Sequence, residues 1–266
     1  MSRAPQPMLA TEHDTGETSQ LSVPAARPEA EPLKVVSLPD GTLSLEQFAL
    51  PQINQCQTAT CHYNAVTGIM EILYAQRAKK KIDISEPYVL ACAPEFDGTK
   101  EWFWKIYDGY DMKSTGVVSE QELSHARIYP YYNNLLGSQS IARRCVPGLA
   151  DKKQSLGFKL KSTPLFFHAN WGSNTIVLNQ VATAGDLQKV TTWFRANKKP
   201  VNLHHLYNGI WHSVILIGHR PAIEGREEQL LIKDSLGEAG VGKWVSAEAF
   251  RQTLYGAIAI TDVSDP

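Results

Sequence analysis

Apolar positions along the 266-residue chain repeat with two different periods. In the first half the period is helical. Val66, Ile69, Met70 and Leu73 stand at i, i+3, i+4 and i+7, with Ala65 and Ile72 widening the face, so the spacing predicts an amphipathic helix. Thr58 or Thr60 offers an N-cap, and Lys79-Lys80-Lys81 closes the far end, where cations suit the helix dipole. "ISEPYVLACA" starts on a Ser-Glu-Pro signal and predicts a second helix. "EWFWKIYDGYDMKSTG" reads as a third, ended by Gly116, and "VVSEQELSHARIYPYYN" continues irregularly into Tyr129-Pro130-Tyr131.

The second half reads differently. "STPLFFHAN", "NTIVLN", "KPVNLHHL", "HSVILIGHR", "QLLIKDSL" and "AIAITD" are short runs rich in Val, Ile and Leu, most of them bounded by turn residues, and each predicts a strand. Two helical segments interrupt them, "AGDLQKVTTWFRANK" and "SAEAFRQTLYG". Near the start, "LKVVSL" has strand composition, "PDG" is a turn, and "SLEQFALPQINQC" runs irregularly toward the first helix. Helices followed by mostly antiparallel strands give an α+β plan: a helical part over about residues 45–160, a β-rich part over about 161–266, and a cleft between them. Residues 1–32 are rich in Pro, Ala, Glu, Ser and Thr, with few large apolar groups. Such a segment cannot offset its ordering entropy, so a disordered tail is expected ahead of a globular 33–266.

Composition then removes whole classes of function. A chain that is 43% hydrophobic with a net charge of −1 can build a sizeable core, and has no general attraction for nucleic acid or an anionic membrane. No apolar run approaches the ~20 residues that span a bilayer, and the N-terminus lacks the apolar core of a secretory signal. The cytoplasm is the default compartment, with export by a signal-independent route as the alternative. Four cysteines are too few and too scattered for a disulfide-built scaffold. A monomer is expected.

The candidate chemistry lies in "NQCQTATCHYN". Cys61 falls at the start of the first helix, where unpaired N–H groups and the positive dipole end favour a thiolate. A nucleophilic thiol also needs a base. His212 opens a hydrophobic strand at the rim of the core, and Asp234 ends the next one. Antiparallel pairing of those strands would set the carboxylate beside the ring, fixing its tautomer. Gln55, six residues before Cys61, supplies an amide that can donate to an oxyanion together with the Cys61 N–H. His204 and His205 are the alternative base. Plainer readings stand beside these: free cysteine is usually a small buried hydrophobe, a strand histidine a satisfied core or surface group, and a strand-end aspartate a turn residue. Zinc held by Cys56, Cys61 and His62 is a further reading, but the C-x4-C-H spacing matches no common structural site and no second ligand pair follows. Trp102, Phe103, Trp104 and Tyr107 read as core.

"QCQTATC" before a helix, "SEPYVLAC", "YPYY", "WHSVILIG" and "LLIKDSLG" occur in the order and context of papain-like cysteine peptidases, which the chain resembles over about residues 45–262. The resemblance implies a papain-like fold, with a helical subdomain packed against an antiparallel β-rich one and the site in the cleft. It implies Cys61 as nucleophile, His212 as base and acid, Gln55 as oxyanion donor, and Asp234 where the family usually carries Asn. Trp211, which flanks the base, and Gly98 would contact substrate. The implied partner is a protein or peptide, and no metal or organic cofactor is required. Cys92 and Cys145 align with a disulfide pair of the family, and two reduced buried thiols are the equal alternative.

The departures are as informative. Asp234 adds a full negative charge, Leu236 replaces a tryptophan that commonly shields the His–Asn bond, and His62 replaces an aromatic after the nucleophile. Cys56 is displaced from the family's first disulfide cysteine, and the connection into His212 is short. These point to a divergent, microbial branch. They also admit transglutamination, deamidation or isopeptide cleavage on the same superfamily fold, or a non-catalytic binding module.

Overall fold

The computed structural model describes residues 33–51, 53–55, 60–92, 106–107, 116–123, 153–172, 175–236 and 240–264. Leu33–Pro266 forms one compact unit. The expected tail, Cys56, Gly98 and Cys145 lie outside the described residues, as does most of the expected third helix, of which Ile106 and Tyr107 are helical and buried.

The first helix, α1 (Cys61–Ala78), buries Val66, Ile69, Met70 and Leu73 as their spacing requires. Thr67, Gly68 and Glu71 are buried as well, because α1 lies against a sheet instead of on the surface. Lys79 ends it in the left-handed conformation, with φ of 54°. Thr60 occupies the N-cap position without making a capping hydrogen bond. Its hydroxyl accepts instead from Asn64 Nδ2 at 3.1 Å. The second helix, α2 (Glu86–Cys92), follows the Ser-Glu-Pro start.

One antiparallel sheet dominates the rest. It comprises β1 (Val36–Ser37), β2 (Leu43–Ser44), β3 (Phe158–Phe167), β6 (Val201–Tyr207), β7 (Ile210–Arg220), β8 (Gln229–Lys233), β9 (Lys243–Ser246) and β10 (Leu254–Ser264). The order is β1-β2-β7-β6-β10-β3, with β8 paired to β7 and β9 to β8. A separate hairpin joins β4 (Ala169–Gly172) to β5 (Thr175–Leu178). α3 (Ala184–Asn197) starts on a reciprocal capping box between Thr183 and Asp186. The sheet and these helices give an α+β architecture.

Two elements differ from the sequence pattern. "SAEAFRQTLYG" forms a helix over only Ala247–Arg251 (α4), since Leu254 onward is taken into β10, hydrogen-bonded on both sides by β6 and β3. The run "STPLFFHAN" divides at His168 into the end of β3 and the start of β4.

Two local features position the site. Asn208 and Gly209, with φ of 49° and 77°, make the two-residue turn between β6 and β7, a geometry that glycine and asparagine adopt at low cost. The resulting register sets His205 opposite His212 and Tyr207 opposite Ile210. The second feature is the seam between α1 and β7. A Cβ on Gly68 would come within 2.7 Å of Ile215 Cδ1 and 3.1 Å of Lys233 Cε. A side chain at 68 would therefore have to displace the ends of both the Ile215 and Lys233 side chains. Gly68→Val is expected to cost about 1–3 kcal/mol by overpacking this seam, read as a lower urea midpoint. An unchanged midpoint would contradict the close approach.

Candidate active site

Cys61, the first residue of α1, carries a partly exposed thiol outside any disulfide. His212 sits near the start of β7, 5% exposed. β8 runs antiparallel to β7, so Asp234, one residue past its end, returns to the mouth of that strand. His212 Nε2 and Asp234 Oδ1 are hydrogen-bonded at 2.6 Å. The same oxygen accepts from the Leu236 backbone N–H at 3.1 Å, which fixes the carboxylate independently of the ring. With Nε2 engaged by Asp234, Nδ1 is the nitrogen left to face Cys61, which lies close enough to raise the His212 pKa.

The electrostatics follow from these contacts. Burial works against a charged His212, but the hydrogen bonds and charges of Asp234 and Cys61 outweigh it, and the pKa is pushed up to about 9. An imidazolium is thus the resting form at neutral pH.

Gln55 reaches the site through a second, longer-range set of bonds. Its backbone N–H donates to the Ser235 carbonyl at 2.8 Å, and Asn54 and Leu236 form an isolated bridge. The Ser235 hydroxyl donates to Gln55 Oε1. With its oxygen on Ser235, the NH2 group is the donor end of a side chain only 5% exposed, whose remaining contacts orient it. Ser235 is a site residue that sequence reasoning missed. The only signal was its place directly after Asp234, and no periodicity says that it meets a residue 180 positions upstream.

Behind Asp234 lies a polar chamber of about 20 Å³, lined among others by Glu71, Glu86, Ser213, Lys233 and Ser235. Lys233 Nζ donates to the carbonyls of Leu50 and Pro51, each at 3.0 Å, which ties the residue before Asp234 to the segment leading to Gln55. Burial raises the carboxyls of Glu71 and Glu86, the Lys233 charge limiting the rise at Glu71. Burial also lowers Lys233.

The remaining candidates divide. Trp211 is half-buried, its indole edge-on to Tyr255 at 4.5 Å. Burial raises the Tyr255 phenol, with a smaller contribution from Cys61. His205 lies 5.5 Å from the His212 ring, and burial and that neighbour lower it to about 4. His204 joins His62, Phe167 and Tyr255, and burial, then His205 and His212, lower it to about 3. The hydrogen bond to Asp234 is made by His212. His62 is buried, with Nδ1 3.3 Å from Ser213 Oγ. Among the described residues no three His, Cys, Asp or Glu groups converge as a metal site would, and no helix is long and apolar enough to cross a membrane. Gly98, the Cys56 part of the zinc reading, and any Cys92–Cys145 bond fall outside the described side chains.

No family model matches the sequence, and no curated protein sequence does. Among solved structures the chain is similar to the bromelain protease from Ananas comosus in complex with the E64 inhibitor. The TM-score is 0.50 at 14% identity, covering 84% of this chain and 99% of that one. It is also similar to the digestive procathepsin L2 proteinase from Tenebrio molitor larval midgut, with a TM-score of 0.53 at 14% identity over 85% of this chain and 69% of that one. Likeness at this identity is likeness of fold: the chain has the α+β papain-like fold.

The His212–Cys61 contact has a direct chemical readout. His212→Ala is expected to slow carboxamidomethylation of Cys61 by iodoacetamide at pH 6.5 by about tenfold or more, because the thiolate loses its cation. Equal rates in the two proteins would rule out the pairing.

Proposed function

We propose that the chain is a cysteine peptidase that hydrolyses peptide bonds through a Cys61–His212–Asp234 triad. The observation that supports this best is the convergence of three separate segments. The start of α1, the mouth of β7 and the end of β8 carry a thiol, an imidazole and a carboxylate, the last two hydrogen-bonded to each other and the thiol near enough to raise the ring's pKa. A merely structural cysteine has no need of such a partner.

The chemistry then follows from the geometry. Cys61 Sγ attacks the peptide carbonyl carbon as the carbonyl π electrons move to oxygen. The Gln55 NH2 and the Cys61 backbone N–H stabilise that oxyanion. Collapse of the intermediate breaks the C–N bond, and His212 gives its proton to the leaving amine. The now neutral ring takes a proton from water, whose oxygen attacks the thioester carbonyl and releases the acid, restoring thiolate and imidazolium. Asp234 holds the ring tautomer throughout and stabilises the cation. Trp211, flanking the base, contacts the substrate, and the resemblance adds Gly98. The substrate is a protein or peptide, and no metal or organic cofactor enters any step.

The test combines labelling with turnover. An epoxide inhibitor of papain-like enzymes is expected to modify Cys61 selectively and only when His212 is present. A peptide library is expected to yield new N-termini, lost in Cys61→Ala. Ammonia release or cross-linking without new N-termini would instead indicate deamidation or transglutamination, and an isopeptide substrate cut at a side-chain amide would indicate an isopeptidase. An unreactive Cys61 would indicate a binding module.

Two further outcomes are specific to these residues. The acid form of His212 is the working form, and its pKa lies near 9. Activity therefore persists through neutrality and falls as pH rises through about 9. Asp234→Asn removes the supporting charge and is expected to move that alkaline limb to lower pH by about 1–3. An unmoved limb would mean that Asp234 does not support the cation. Gln55→Ala is expected to lower kcat by about 10²–10³ with little change in KM. Retention of kcat would remove Gln55 from the oxyanion site.

A further inference from the structure

The tip of the β6–β7 hairpin carries two large apolar side chains in solvent, immediately beside the candidate base. Tyr207 is 47% exposed and Ile210 is 69% exposed. They are cross-strand partners, so both emerge on one side of the hairpin. The Tyr207 ring lies 5.9 Å from the His212 ring, and 6.4 Å from His205. His205 in turn packs against Phe250 at 4.7 Å, which gives the tip a buried aromatic base. The turn between them, Asn208-Gly209, is only two residues long and pinned by positive φ at both. The tip therefore presents a preformed apolar surface with no charged side chain on it.

We infer that Tyr207 and Ile210 form a specificity contact for the first substrate residue beyond the scissile bond, selecting an apolar side chain there. The inference rests on the peptidase reading. In that reaction the leaving amine takes its proton from His212, so the leaving half of the substrate must pass the His212 ring. Among the described residues, Tyr207 is an exposed side chain whose ring packs on that of His212. A rigid aromatic and a β-branched aliphatic offer apolar area at little cost in conformational entropy, whereas a charged or small residue at the same place gains nothing from them. Trp211, on the neighbouring strand position, leans on Tyr255 and belongs to the other side of the hairpin.

The test uses quenched peptides sharing one acyl half, with Leu, Phe, Ser or Glu as the first residue of the leaving half. The full chain is compared with a Tyr207→Ser, Ile210→Ser double variant and with Tyr207→Phe. Both positions are exposed, so the variants are expected to keep the parent's urea midpoint. The parent is expected to prefer Leu and Phe over Ser and Glu in kcat/KM. The double variant is expected to lose about tenfold of that preference, while Tyr207→Phe keeps it. Alkylation of Cys61 by iodoacetamide, which has no leaving half, is expected to stay the same in all three proteins. An unchanged preference in the double variant, or none in the parent, overturns this inference and leaves the peptidase reading intact. No cleavage of any peptide by the parent overturns that reading, and this inference with it.

Discussion

A thiol on a helix and an imidazole on a strand can share a proton only if the two elements are held at one fixed separation. The site depends on that constraint first. α1 meets β7 at Gly68, where even a methyl group would collide with Ile215. The helix is buried nearly all round through its middle, so packing on every side resists its sliding. Cys61 begins this helix and His212 lies on the strand it packs against. The placing of Cys61 near His212 is a consequence of the core beneath them.

The second requirement is a charge balance that makes His212 the cation among its neighbours. His204 and His205 are held neutral by burial and by the positive charge at His212. His62 is held neutral by burial. Only His212 meets enough negative charge to reverse the effect of burial, and Asp234 supplies most of it. A neutral amide in that position would orient the ring without adding charge. With a carboxylate, the imidazolium should outlast neutrality by a wide margin, which widens the alkaline range of any chemistry that needs an acid.

Ser235 and Lys233 link the candidate triad to Gln55, the proposed oxyanion donor. One hydroxyl orients the Gln55 amide, and one buried ammonium holds the carbonyls of Leu50 and Pro51. Both flank Asp234 in sequence. The short segment 233–235 therefore positions both Asp234 and the Gln55 amide, and a shift of β8 would disturb the two together. Burial raises the carboxyls of Glu71 and Glu86 beside Lys233 and so favours their neutral forms.

Much of this was legible in the chain itself, and for local reasons. The i, i+3, i+4, i+7 spacing of Val66, Ile69, Met70 and Leu73 determined α1, and the Val/Ile/Leu runs determined β6, β7 and β8, because side-chain periodicity is a property of neighbouring residues. The order Gln55, Cys61, His212, Asp234 identified the candidates. Competition between local propensity and long-range pairing is where the sequence misleads. The 246–256 segment has a helical pattern, yet β6 and β3 together claim its second half for β10. β2 is two residues long and exists only because β7 extends past β6 to receive it. Likewise the bond from Ser235 to Gln55, the edge contact of Trp211 with Tyr255, and the place of Tyr207 beside His212 follow from strand register and loop closure. Those are fixed by where distant segments dock, and only the tertiary structure decides them.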